Sequence, residues 1–350
     1  MAHRTKIAGA AVLLLLLALY AAHKLGSSPE WRNFQSEQFW EVFRQARWSY
    51  LAAAAALIFT SHLFRSLRWR RFLAHMKRAG LGSIYESTLI GFSAVALLGR
   101  PGELVRPVLI ARREGLDVSS QMGAWTLERV FDGLMMGMLL GAGLLLFAPG
   151  QSLGQPEHPL MVHLRRAGIT LVVIALLLFA ALLALRYLTN GLQGFLSRVI
   201  RLLPQKQQSS FLDMLDSFIH GLGSTGNFST VLVCGAYSFL VWAPVVGTYW
   251  CVAQSVGGAM GQMNLGSLTV VFAISIAGSI VHIPGIGGGT QVATVMALTE
   301  LFAIPLAPAT SAALLLWIIA FMIVLIPGIP LAAREGLNWH TLRTMAHPVK

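Results

Sequence analysis

Charge is what this chain has least of. Only 11% of its 350 residues are Asp, Glu, Lys or Arg, against roughly a quarter in a soluble domain. Acid is the scarcer sign, with 14 Asp and Glu against 26 Lys and Arg and a formal net charge of +12. Long polar stretches are missing as well. The longest, 186–228, reads as a linker rather than a domain, so the excess of base is not a nucleic-acid footprint. Basic residues beside apolar segments instead face the cytosol and anionic lipid. Cysteine is nearly absent. Cys234 and Cys251 share one apolar segment and would stand roughly 25 Å apart along a helix at 1.5 Å per residue. They cannot pair and read as packing residues. No group of ligands has metal-binding spacing, and no G-x-x-x-x-G-K-[ST] loop for ATP occurs. Neither metal nor cofactor is expected.

Apolar runs are there in abundance. Residues 7–22, 49–61, 84–98, 133–147, 167–185, 229–252, 265–281 and 309–333 are weakly charged or uncharged, and several reach the roughly 17–25 residues that a helix needs to cross the hydrocarbon. The fold class is therefore an all-α polytopic membrane protein. The first run has a basic start (His3, Arg4, Lys6) like a signal peptide, but bulky Leu19 and Tyr20 stand where a cleavage site wants small residues. It reads as an uncleaved first helix.

If all eight segments cross, Lys and Arg divide 13 inside to 12 outside, which is no bias. If 84–98 and 265–283 instead dip in and return, the division becomes 19 inside to 6 outside. The reading is then six full spans plus two re-entrant broken helices in an inverted repeat, with both termini cytosolic. The first repeat covers 1–148, with a re-entrant stretch at 84–107. Residues 149–186 form an outer loop and the fifth segment. A cytosolic linker, 187–228, holds an amphipathic surface helix at 191–203, and 229–333 completes the second repeat, with a re-entrant stretch at 265–291. The tail is 334–350. Gly133, Gly137 and Gly141 give the fourth segment a smooth packing face, and Pro244 is expected to kink the sixth. Paired Gly/Pro interruptions at matching positions point to a transporter's central site.

"GRPGELVRP" (99–107) places Arg100, Glu103 and Arg106 at membrane depth on backbone broken by Pro101 and Pro107. Charges there need a partner or a water-filled cavity. Pro101 suits the first turn of a helix, whose positive end beside two guanidinium forks would bind phosphate or carboxylate. "PGIGGGTQ" (284–291) offers Gly285, Gly287, Gly288 and Gly289 as a nest of backbone N–H groups, with Thr290 as N-cap. In "TLERVFDG" (126–133), Glu128 and Asp132 share a helical face, and Arg129 can pair with Asp132. That trio serves either a coupling step, with Glu128 facing a cavity, or a structural ion pair.

Taken together, "GRPGELVRPVLIARREG", "ERVFDG" and "IPGIGGGTQ" resemble the flippase-like membrane family named for the transmembrane region of lysylphosphatidylglycerol synthase, the multiple peptide resistance factor. The likeness runs from about residue 7 to 333. It implies an integral protein of the cytoplasmic (inner) membrane that moves lipids or lipid-linked sugars between leaflets. It carries over a substrate-binding element onto Arg100, Pro101, Gly102, Glu103 and Arg106, a charged element onto Glu128, Arg129 and Asp132, and a glycine element onto Pro284, Gly285, Gly288 and Gln291. Gln291 stands where the family carries an acid, which removes a titratable group from that position. The chain ends at Lys350 without an aminoacyl-transferase domain, so lysyl-lipid synthesis is not expected of it.

The expected activity is flippase or scramblase translocation of a phospholipid or a polyprenyl-phosphate-linked lipid, with an anionic lipid and the membrane as partners and a lipid-synthesising enzyme as the protein partner. The alternatives are an intramembrane transferase acting on a lipid phosphate, or an accessory subunit of a glycosyltransferase.

Overall fold

A computed structural model describes residues 36–74, 76–146, 159–184, 228–279, 282–283 and 287–337, with 341 and 345. Of the stretches and residues singled out from the sequence, 7–22, 191–203, Pro284 and Gly285 lie outside the described residues. Among the described residues the helices are, in chain order, α1 (Ser36–Gln45), α2 (Trp48–Leu73), α3 (Leu81–Leu98), α4 (Val105–Glu114), α5 (Val118–Leu146), α6 (Pro159–Ala184), α7 (Phe228–Val256), α8 (Gly258–Gly261), α9 (Leu265–Gly278), α10 (Gly289–Met296), α11 (Leu306–Trp317) and α12 (Leu325–Arg334). A 3-10 turn, Arg100–Leu104, joins α3 to α4, and π turns follow α10 and α11. Among the described residues two short strands pair antiparallel, the two-residue β1 (His282–Ile283) with β2 (Gly287–Gly288).

Among the described residues five helices are long and apolar enough to cross a membrane: Trp48–Leu73, Leu81–Leu98, Val118–Leu146, Leu232–Val256 and Leu306–Arg334. Their outward faces agree with that. Leu146, Phe239 and Ile326 are all more than half exposed, apolar surface that water would not tolerate and hydrocarbon does.

The chain folds back on itself twice. In the first hairpin, Ser83 of α3 donates to Glu114 of α4 at 2.7 Å, and Arg113 donates to the Ser83 carbonyl at 2.9 Å. Farther along, Gly91 lies against Arg106 and Gly102 against the backbone of Ala94. The pairs run antiparallel, so Leu81 and Glu114 open at one end while Gly99–Leu104 forms the tip. Gly99 ends α3 at φ +73°, a conformation that a Cβ resists. Gly102 is needed for room: a methyl there would overlap the Ala94 carbonyl. The second hairpin has the same plan. Ser275 of α9 shares a 2.7 Å hydrogen bond with Thr294 of α10, Gly278 packs on Gly289 and Ala293, and His282 pairs with Gly288.

Each hairpin leans on the last helix of the other half. Gly328 of α12 sits on Leu89 and Ser93 of α3, where Ser93 donates to the Val324 carbonyl at 3.1 Å. Gly143 of α5 sits on Thr269, and Gly266 on Leu146. Between them α2 and α7 run antiparallel in close contact, with Ser61 donating to the Val241 carbonyl at 2.8 Å and the Arg47 N–H to the Ser255 carbonyl at 3.2 Å. Of the three glycines expected to smooth the fourth segment, Gly141 meets Gly168 and Val172 of α6, Gly137 meets Ala175, and Gly133 faces open space. Cys234 and Cys251 are buried free thiols.

Several helices run past the apolar segments read from the sequence, α5 beginning at Val118 and α6 at Pro159, and the consequential case is α2. The segment read as ending at residue 61 continues as α2 to Leu73, so Arg65 and Arg68 are not loop residues. The reason is compensation: both are buried against carboxylates of α5. Removing Arg65, Arg68, Arg100 and Arg106 from the cytosolic tally leaves 15 against 6, the same direction as before.

The end at which the first hairpin opens gathers Arg70, Arg71, Lys77, Arg78, Arg112, Arg113 and, through the 2.7 Å Arg113–Glu335 pair, Arg334. The opposite end carries Glu37, Glu41 and Glu300 beside Arg44 and Arg47. The basic end is predicted to face the cytosol. In a variant with Cys234 and Cys251 replaced by Ala, Asp117→Cys should react with an impermeant maleimide only from the cytosolic side, and Glu41→Cys only from outside. Reversed labelling refutes this orientation.

Candidate functional site

The site grows from two short sequence periodicities. On α5, Glu128 and Asp132 are four residues apart and therefore stacked on one face. On α2, Arg65 and Arg68 are three apart and point at that face. Arg68, fully buried, bridges both acids: Nη2 donates to Glu128 Oε1 at 2.7 Å, and Nη1 donates to Asp132 Oδ1 at 2.8 Å. Nη1 also donates to Ser238 Oγ of α7 at 2.7 Å. Trp242 Nε1 donates to Asp132 Oδ1 at 3.1 Å. Arg65 lies 3.6 Å from Asp132 Oδ2. From the hairpin, Arg106 Nη2 donates to Glu128 Oε2. Three helices and the first hairpin are thus tied to one pair of acids.

Aromatic rings hold two of the guanidinium groups in place. The Arg65 guanidinium lies 4.7 Å from the Trp242 ring centroid and 5.2 Å from that of Phe92. That of Arg106 lies 4.2 Å from Trp69. Such contacts contribute about 2 kcal/mol when desolvated and restrict the swing of long side chains.

In front of this cluster is a cavity of about 180 Å³. Arg100 and Glu103 border it from the first hairpin's tip, Arg106 from the start of α4, and Arg65 and Arg129 from α2 and α5. Ile276 and Ser279, at the far end of α9, border it from the second hairpin. The cavity is therefore bordered by residues of both hairpins. Arg129, 39% exposed at its side chain, is 3.1 Å from Asp132 and 3.6 Å from Glu103. Among the described residues Arg100 is exposed and makes no ion pair. Arg106 is 4% exposed, yet its Nη1 has no hydrogen-bond partner.

The residues singled out from the sequence divide accordingly. Arg100, Glu103, Arg106 and Arg129 come together at the cavity. Pro101 opens the 3-10 turn and Gly102 seats it on α3. Glu128 does not face the cavity as its coupling role required. It is completely buried behind the wall, held by Arg68 and Arg106. Asp132 is buried as expected, but the Arg129 partner is partly exposed. Thr290 is not the N-cap: α10 begins two residues earlier than that cap would place it, with Gly288 as cap at φ +102°. Gln291 Oε1 accepts from the Gly288 N–H at 2.7 Å, the reach-back of a residue three positions into a helix. Gly287, Gly288, Gly289 and Gln291 form this bend, while the cavity wall on that side is Ile276 and Ser279.

The sequence reading missed Arg65, Arg68, Ser238 and Trp242. For the arginines a signal existed in "HLFRSLRWRR" (62–71): positions 62, 65, 68 and 69 recur at helical spacing and share a face, apart from Arg70 and Arg71. Among the described residues no group of three His, Cys, Asp or Glu could hold a metal ion.

With this geometry in view, the comparisons are consistent. The lysylphosphatidylglycerol synthase TM region family matches residues 6–328. A search of curated proteins finds no match. The chain belongs to that family, a class of membrane proteins related to lipid modification or transport.

Arg68 is predicted to be the residue the cluster can least do without. Arg68→Met leaves Glu128 and Asp132 short of their shared partner, and breaking a buried pair costs about 3–5 kcal/mol. Arg129→Ala, partly exposed, should cost less than about 1 kcal/mol. Thermal denaturation of the purified variants in detergent measures both. Arg68→Lys, which keeps a cation beside the acids without the bridging fork, should lose less than Arg68→Met, and equal losses would show that the charge at this position does not matter.

Proposed function

We infer that this protein moves a lipid with an anionic phosphate headgroup between leaflets of the cytoplasmic membrane. The observation that carries the reading is the cavity bordered by both hairpins, where Arg100 and Arg106 present donors that the described residues leave unused. An isolated charged headgroup faces a transfer cost of tens of kcal/mol in the Born limit. Guanidinium forks in a polar cavity replace its hydration shell while the acyl chains stay in the bilayer.

On this reading the hairpins are the re-entrant elements of an inverted repeat, one entering from each side, and both termini are cytosolic. The crossed packing supports it, each hairpin resting on the final helix of the other half. So does the cavity that both hairpins border. Alternating access would follow if the two halves rock about α2 and α7. An inside-negative potential, about 2.3 kcal/mol per charge per 100 mV, would drive an anionic headgroup outward. The transferase alternative needs a free carboxylate as base, and Glu128 and Asp132 are both engaged by arginines.

Headgroup translocation in proteoliposomes tests this. Arg100→Ala should reduce the rate steeply, by about tenfold or more, because a charge-assisted fork is lost. Arg100→Lys should restore it in part, since an ammonium keeps the charge without the bidentate geometry. Wild-type rates in both variants would reduce Arg100 to an interface anchor and sink the reading.

A further inference from the structure

The charge balance of the cavity narrows the ligand, given the reading that the cavity carries a lipid headgroup. Five guanidinium groups, those of Arg65, Arg68, Arg100, Arg106 and Arg129, meet three carboxylates, those of Glu103, Glu128 and Asp132. Two cations are left over at membrane depth, where each uncompensated charge costs about 2.5–3.5 kcal/mol on insertion scales. The surplus has a definite place. Glu128 and Asp132 lie behind the wall and are shared by Arg68, Arg65 and Arg106, while Glu103 faces Arg129 at 3.6 Å. What remains is the unpaired fork of Arg100 and the unpartnered Nη1 of the 4% exposed Arg106, both on residues bordering the cavity.

Size adds a second constraint. About 180 Å³ is below the roughly 300–1,000 Å³ of pockets for drug-sized ligands, so the group that fits is compact. We propose that the preferred substrate is a lipid whose headgroup is a bare phosphomonoester, bound as its dianion. Such a group carries about −1.5 to −2 near neutral pH and has three terminal acceptor oxygens. It matches the surplus of two and can accept from Arg100, Arg106 and Arg129 together. A phosphodiester brings one negative charge and leaves one cation uncompensated. The chemistry is shared by a diacylglycerol phosphate, a polyprenyl monophosphate and free phosphate.

Binding of purified full-length protein separates these. Dioleoyl phosphatidic acid, dioleoyl phosphatidylglycerol, a polyprenyl monophosphate and inorganic phosphate are each titrated at pH about 7.5, above the phosphomonoester's second pKa of about 6. Tryptophan fluorescence is the readout, since Trp125 and Trp242 border the cavity. At least one lipid monoester should bind about tenfold or more tightly than the phosphatidylglycerol diester, with inorganic phosphate weaker than either lipid monoester. Arg100→Gln removes one surplus charge without breaking an ion pair among the described residues, and should bring the monoester-to-diester ratio below about threefold. Glu103→Gln adds one and should raise that ratio. A wild-type ratio below about threefold overturns the dianion assignment, even where translocation of the diester is intact and the transport reading stands. Inorganic phosphate binding as tightly as the lipids overturns the lipid assignment. A ratio unmoved by Arg100→Gln also overturns the dianion assignment, because the surplus would then lie elsewhere.

Discussion

Everything at the centre of this protein depends on one guanidinium. Arg68 joins Glu128 to Asp132 and passes its third contact to Ser238, so α2, α5 and α7 meet at a single fully buried side chain. A buried ion pair is weak evidence for stability, because desolvation offsets much of the attraction, but losing one partner is costly. That asymmetry explains the shape of the cluster. Once two acids lie one helical turn apart inside the membrane, their charge draws further partners: Arg106 donates to Glu128, Trp242 donates to Asp132 Oδ1, and Arg65 pairs with Asp132 at 3.6 Å. Arg106 is the consequential recruit, because it belongs to the first hairpin. Its attachment to Glu128 fixes the hairpin tip against the rest of the bundle, and with it Arg100.

The hairpins depend in turn on the absence of side chains. Gly102 lets the 3-10 turn lie on Ala94, Gly278 lets α10 return along α9, and Gly328 and Gly143 let each hairpin meet the helix it leans on. Lipid offers no hydrophobic drive between helices, so close packing at small residues carries association there. Backbone that leaves helical geometry at membrane depth is tolerated only where it is buried or borders a polar cavity. The first hairpin's tip meets both conditions, with Gly102 buried and Arg100 and Glu103 at the cavity.

What the sequence disclosed follows from how local each signal is. The acids of "TLERVFDG" and the broken backbone of "GRPGELVRP" were legible because helical spacing and proline geometry are properties of neighbouring residues. Helix content and membrane class were legible from the length of apolar runs. Arg65 and Arg68 were not, since a positive run after an apolar segment ordinarily marks the end of a span. Only the acids of α5, some sixty residues away, permit α2 to continue through them. The glycine stretch 287–289 raised the opposite difficulty. Its composition suggested an anion nest, yet its glycines serve the bend and Gln291 caps it, leaving the wall to Ile276 and Ser279.

On the proposed reading, transport sets a limit on how well the site can bind. A pathway conducts only if its occupant is held strongly enough to enter and weakly enough to leave, and five arginines at low dielectric would trap a phosphate. The three carboxylates moderate this in two ways. Glu128 and Asp132 are fixed and permanently reduce the field of Arg65, Arg68 and Arg106. Glu103 is half-buried at the cavity and 3.6 Å from Arg129, too far for a tight hydrogen bond. On the proposed reading it is a competitor rather than a ligand. A phosphate arriving at Arg129 displaces Glu103, and the carboxylate, returning, displaces the phosphate. Arg129 thereby exchanges one anion for another and is not left unpaired when the headgroup departs, which keeps the well on either side shallow.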